Sequence, residues 1–160
     1  MKRHTLLLAA MTLAFPLTGL AAESGHHDHG AAPQKIQLNA GKKWPTDEAL
    51  RKGMSAMRTH VATALPAAHA GKLTPAQYEA LGKELNTQVG DIVRNCKLDP
   101  KADAQLHVVI GDLAEGIETL EGKRQGKERA SGVVRVAQAL NAYGKYFDHA
   151  GFKAIKLPQH

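Results

Sequence analysis

Residues 74–96 read Thr-Pro-Ala-Gln-Tyr-Glu-Ala-Leu-Gly-Lys-Glu-Leu-Asn-Thr-Gln-Val-Gly-Asp-Ile-Val-Arg-Asn-Cys, and their pattern decides the fold. Thr74 is placed to cap a helix, Pro75 suits the first helical position, and Gln77 completes a capping box. From there Tyr78, Leu81, Leu85, Val89, Ile92 and Cys96 recur at steps of three and four. That spacing puts them along one face of a helix. The stretch is therefore an amphipathic helix that needs other helices to cover its apolar stripe.

The same signals recur on both sides. Upstream, a helix is predicted from Thr46 to Leu65, with Thr46 as cap, Asp47 and Glu48 in the first turn, and Pro66 as its end. Its stripe is Leu50, Met54, Met57, Val61 and Ala64. Downstream, Asp99 and Pro100 open a third helix with Leu106, Val109, Leu113, Ile117 and Leu120 on one face. A turn rich in Lys and Gly follows at 122–126. A fourth helix is expected from about Ser131 to Gly151, carrying Val133, Val136, Leu140, Tyr143 and Phe147. No segment alternates like a strand over a useful length. Four similar helices with short connections predict an all-α, antiparallel up-down-up-down four-helix bundle.

The chain ends frame this unit. Lys2 and Arg3 precede an apolar run from Thr5 to Phe15, followed by Pro16 and small residues at Gly19, Ala21 and Ala22. That order is the secretory pattern, and the run is too short to span a bilayer. Residues 1–22 are thus expected to be a signal peptide, cut after Ala21 or Ala22, with the mature chain periplasmic or secreted. Residues 23–45 read as a flexible leader containing His26, His27 and His29. Residues 46–152 form the bundle, and 153–160 a tail without helical pattern. After cleavage no membrane span is expected.

Composition narrows the function. Loss of Lys2 and Arg3 lowers the formal charge from +6 to +4 over 138 residues, with basic residues scattered. This is not the dense basic stripe of a nucleic-acid binder. The sequence has no Gly-rich phosphate loop, no His-Glu-x-x-His and no legible catalytic triad, so an enzyme is not expected. The single cysteine, Cys96, excludes an internal disulfide and a c-type haem attachment.

In an up-down bundle, the start of helix one, the end of helix two, the start of helix three and the end of helix four share one end. Met54 and Met57, Cys96 in the last turn of helix two, Asp103 and His107, and Asp148 and His149 closing helix four are all drawn there. Asp103 lies four residues before His107, so its carboxylate can orient the imidazole. Cys, His and Met suit soft metals such as Cu(I). A copper site from Cys96 and His107 with Met54, Met57 or His149 is the leading expectation, with His26, His27 and His29 as an auxiliary collector. Two bland readings stand beside it. Met54 and Met57 on an apolar stripe fill a core, and a free Cys is a small buried hydrophobe or a bridge between two chains of a homodimer.

A likeness also bears on the fold. Met54 within Leu50-Arg51-Lys52-Gly53-Met54, and Asn141-Ala142-Tyr143 late in helix four, resemble the periplasmic four-helix-bundle cytochromes of the b562 type. The resemblance implies a bundle and non-covalent haem as an alternative cofactor. In that family the second haem ligand directly follows the Asn-Ala-Tyr-like run; here that position is Gly144, and the nearest histidine is His149. Only Met54 carries over as a ligand. Asn95 to Asp103 is also similar to a stretch in uncharacterised exported bundle proteins of Gram-negative bacteria, which implies no activity. A cofactor-free scaffold or interaction module is the remaining expectation.

Overall fold

A computed structural model describes residues 35–159 of the chain. Four helices follow one another: α1 Glu48–His69, α2 Pro75–Asn95, α3 Pro100–Leu120 and α4 Arg129–Tyr146. Among the described residues there is no strand, only isolated bridges at Asn39–Lys42 and Trp44–Phe147. The helices pack in a ring, α1 on α2, α2 on α3, α3 on α4 and α4 on α1. The chain is an all-α four-helix bundle. No helix among the described residues is long and apolar enough to cross a membrane.

The stripes read from the sequence build the core. Leu50, Met54, Met57 and Val61 of α1 are fully buried, as are Leu85 of α2, Leu113 and Leu120 of α3, and Val133, Val136, Leu140 and Tyr143 of α4. Each such aliphatic side chain contributes about 1.5–3 kcal/mol relative to exposure. The α2 stripe is the least buried, with Leu81, Val89 and Cys96 only partly covered.

The α3–α4 contact is the most extensive, and two glycines explain it. A Cβ on Gly132 would lie 2.4 Å from the Leu120 nitrogen and 2.6 Å from the Gly116 oxygen. Only glycine allows backbones this close. At the other end, a Cβ on Gly53 near the start of α1 would lie 2.6 Å from Ile92 near the end of α2. The Trp44 N–H, just before α1, donates to the carbonyl of Tyr146 at the end of α4 (2.8 Å). These contacts gather the start of α1 and the ends of α2 and α4 together.

Capping explains most boundaries, and several differ from expectation. The α1 cap is Asp47, not Thr46: the Asp47 side chain accepts from the Leu50 N–H. α1 also runs through Pro66 to His69. A proline removes one intrahelical donor, but one more turn buries Ala68 and reaches a better stop. At that stop Gly71 (φ +64°) and Lys72 donate to the carbonyls of Ala68 and Ala67, a Schellman ending. Gly122 (φ +78°) and Lys123 repeat it after α3. The capping box of Thr74 and Gln77 is present. α4 begins at Arg129 and stops at Tyr146, before Gly151, because Phe147 turns to extended backbone and bridges Trp44.

Residues 35–45, expected to belong to a flexible leader, are tied to the bundle. Trp44 is buried, its indole N–H donates to the Gln37 carbonyl (2.6 Å), and its own carbonyl accepts from the Asp148 N–H (2.8 Å). The tail is also docked. Ile155 is buried, and Asn141 grips its backbone, accepting its N–H (2.7 Å) and donating to its carbonyl (2.9 Å). The signal-peptide segment and His26, His27 and His29 lie outside the described residues.

Candidate metal pocket at the end of the bundle

The residue that organises this end is Asp47. One carboxylate oxygen accepts from the Leu50 N–H (2.8 Å) as the cap of α1. The other accepts from the Lys97 N–H (2.5 Å), fifty residues away, just after α2. A single carboxylate therefore satisfies donors at the start of one helix and beyond the end of its neighbour. Burial works to raise the Asp47 carboxyl pKa, but the N–H groups of Lys97 and Leu50, the Cys96 thiol and the charge of Arg51 outweigh it and hold it below the ordinary value.

Cys96 sits against this clasp. It is not in the last turn of α2, as expected, but one residue beyond it, with extended backbone (φ −69°, ψ 135°) and its N–H still bonded to the Ile92 carbonyl. The Asp99-Pro100 start of α3 forces this early stop, since α2 and α3 are joined by only four residues. The side chain is partly buried. Burial pushes the thiol up to about 12, helped by the charge and hydrogen bond of Asp47 and the charge of Asp103. The sulfur is thus a neutral thiol in a negative setting, not a reactive thiolate.

Cys96, Asp103 and His107 line one pocket of about 240 Å³, with Ile92, Leu106 and Ile110 as apolar walls. His107 is oriented by Asp103, but chiefly through the backbone. Its Nδ1 lies 2.9 Å from the Asp103 carbonyl oxygen and 3.4 Å from the carboxylate. A carbonyl only accepts, so Nδ1 carries the proton and Nε2 keeps the lone pair. That is the tautomer of a histidine ready to bind a metal through Nε2.

The other expected ligands are elsewhere. Met54 and Met57 are fully buried in the core and do not line this pocket. His149 lies beyond α4, as does Asp148, so neither closes that helix as expected. The His149 ring is held between two hydroxyls: Nδ1 is 2.9 Å from Tyr143 Oη and Nε2 is 3.3 Å from Ser55 Oγ. It also packs on Phe152, with ring centroids 5.0 Å apart. Burial, then the charge of Arg51, lowers its pKa below 6.5. Burial likewise raises the Tyr143 phenol, which stays neutral. Among the described residues, no group of three or more His, Cys, Asp or Glu side chains is arranged to hold a metal ion. The bundle interior, where a haem would sit, is filled by Tyr143, Phe147, Leu50 and Met54, all without exposure.

Sequence reading missed the reach of Asp47 to Lys97 and the Tyr143–His149–Ser55 chain. The capping propensity of Asp47 was visible, but a bond spanning fifty residues leaves no local signal. Compared with known proteins, the chain matches no family model, no curated protein and no solved structure.

Proposed function

We propose that this chain is an exported, periplasmic copper-binding bundle protein that holds one Cu(I) between Cys96 and His107, for binding and handling rather than catalysis. The observation that carries the reading is the shared pocket of Cys96, Asp103 and His107. Cu(I) accepts two ligands in a near-linear arrangement, so a Cys–His pair suffices where three-ligand groups are absent. Thiolate and imidazole are donors that suit it.

The electrostatics work in the same direction. Burial first, and then the carboxylates of Asp47 and Asp103, hold the proton on Cys96, the carboxylates because they oppose a thiolate. A cation in the place of that proton is favoured by the same two charges. Binding then releases one proton from Cys96, and affinity rises with pH. His26, His27 and His29 act as a weak collector that raises the local supply of metal. The filled core gives the haem reading no support.

The test is a competitive Cu(I) titration against a chromophoric chelator, on the mature chain, its Cys96→Ser and His107→Ala variants, and a triple His26/His27/His29→Ala variant. One Cu(I) per chain is expected, weakened at least about a hundredfold by either pocket variant and little changed by the triple one. Equal binding by the wild type and both pocket variants defeats the site. Negligible binding by every protein favours the cofactor-free scaffold, and a Cys96-dependent dimer on a non-reducing gel would favour the bridging thiol.

A further inference from the structure

A second pocket, sharing no residue with the first, lies between the later part of α1 and the C-terminal tail. It has a volume of about 520 Å³. That is within the range of small-molecule sites, about 300–1,000 Å³. Ala62, Leu65 and Pro66 form one wall, and Ile155, Leu157 and Pro158 the other. Among the described residues that line it, the charged groups are of one sign: Arg58 and Lys156, with His69 beside them and no carboxylate.

The wall contributed by the tail is held in place. Asn141 bonds both backbone groups of Ile155. Arg58 Nε donates to the Lys153 carbonyl, so one of its five donors fixes the tail. The anchored stretch costs little ordering on binding, the general advantage of a preformed site. Leu157 nevertheless keeps 37% of its surface exposed, an apolar side chain on a docked segment without full cover.

We infer that this trough binds a free medium-chain carboxylate, its hydrocarbon tail between Leu65 and Leu157 and its carboxylate at Arg58 and Lys156. An apolar floor with cations alone at its edge complements an amphiphile that is negative at one end. A neutral amphiphile would leave the two cations unused, and a cationic one would be repelled. Arg58 favours a carboxylate over a diffuse anion because its planar fork pairs with two oxygens.

The experiment is an isothermal titration of the mature chain with decanoate, hexanoate, decanol and decyltrimethylammonium, all below micellar concentration, with amide NMR shifts as a second readout. Lys156→Glu and Leu157→Ser serve as variants, since both positions are exposed and neither change threatens the fold. Saturable decanoate binding is expected, with amide shifts at residues 62–65 and 154–157. Decyltrimethylammonium should bind at least tenfold more weakly. Each buried CH₂ tightens binding about fourfold, so hexanoate, with four fewer, should be weaker by up to about 250-fold. Lys156→Glu and Leu157→Ser should each weaken decanoate about fivefold or more. Absence of saturable binding, equal binding of the cationic amphiphile, or unchanged affinity in both variants would overturn the inference.

Discussion

Asp47→Asn removes the charge at the end of the bundle and keeps one of the two backbone hydrogen bonds that Asp47 accepts. Asparagine caps helices about as well as aspartate, so the Leu50 N–H keeps an acceptor. What disappears is a negative charge beside the Cys96 sulfur, and with it the acceptor of the Lys97 N–H, which then faces an amide NH₂ group. With the thiol at about 12 instead of 9.0, the thiolate fraction at pH 8 falls ~10³-fold, from ~10⁻¹ to ~10⁻⁴. The intrinsic nucleophilicity of a thiolate rises with its pKa and returns about half of that factor on a logarithmic scale. Native Cys96 should therefore react with a disulfide reagent roughly 30–60 times more slowly than the unfolded chain at the same pH.

Burial is the largest cause of the shift and survives the substitution. A like charge at close range accounts for about 1–3 pKa units. Each unit is worth about a three- to fourfold change in rate after the nucleophilicity correction. Asp47→Asn should thus speed labelling of the folded protein by at least about threefold. The assay is absorbance of the released thiol at pH 8, with circular dichroism and melting to show that the variant is folded. If a folded variant labels no faster than wild type, the carboxylate does not govern the thiol, and the electrostatic argument for a cation beside Cys96 fails with it.

Two further outcomes follow from the packing and the half-buried His149 ring. Gly132→Ala drives a Cβ into the Leu120 and Gly116 backbones and should lose about 3 kcal/mol or more in urea unfolding, whereas Gly111→Ala, where a Cβ meets nothing within 4 Å, should gain about 0.5–1 kcal/mol. Similar values for both would show that α3 and α4 are not in backbone contact. The folded-state pKa of His149 lies below 6.5, so the unfolded chain takes up that proton first as pH falls. Its contribution is fully present above about pH 6.5 and is lost progressively below it, down to the folded value. Melting temperature should drop between pH 7.5 and 5.5, and drop less in His149→Gln; parallel losses in the two proteins would remove His149 as a cause.

Local sequence determined the helices, because the information is local. Thr74-Pro75-Ala76-Gln77 and Asp99-Pro100 satisfy their own orphan donors, and the stripes from Leu50 to Val61 and from Leu106 to Leu120 state which face is apolar. The failures came where two distant segments compete for one residue. Pro66 looked like a stop, yet burial of Ala68 and the turn at Gly71 carried α1 past it. Gly151 looked like the end of α4, yet Phe147 leaves the helix earlier to bridge Trp44.

The candidate site shows the same division. The sequence alone supplied the ligand types and brought Cys96, Asp103 and His107 toward one end through helix order. Tertiary structure decided that Met54 and Met57 serve the core, and that His149 bonds Tyr143 and Ser55. It also brought Asp47 to Lys97 and Cys96. The physical reason is range. Helix periodicity and capping act over three or four residues and can be read along the chain, whereas burial and the pairing of charges depend on which faces meet, and that is settled only when all four helices pack together.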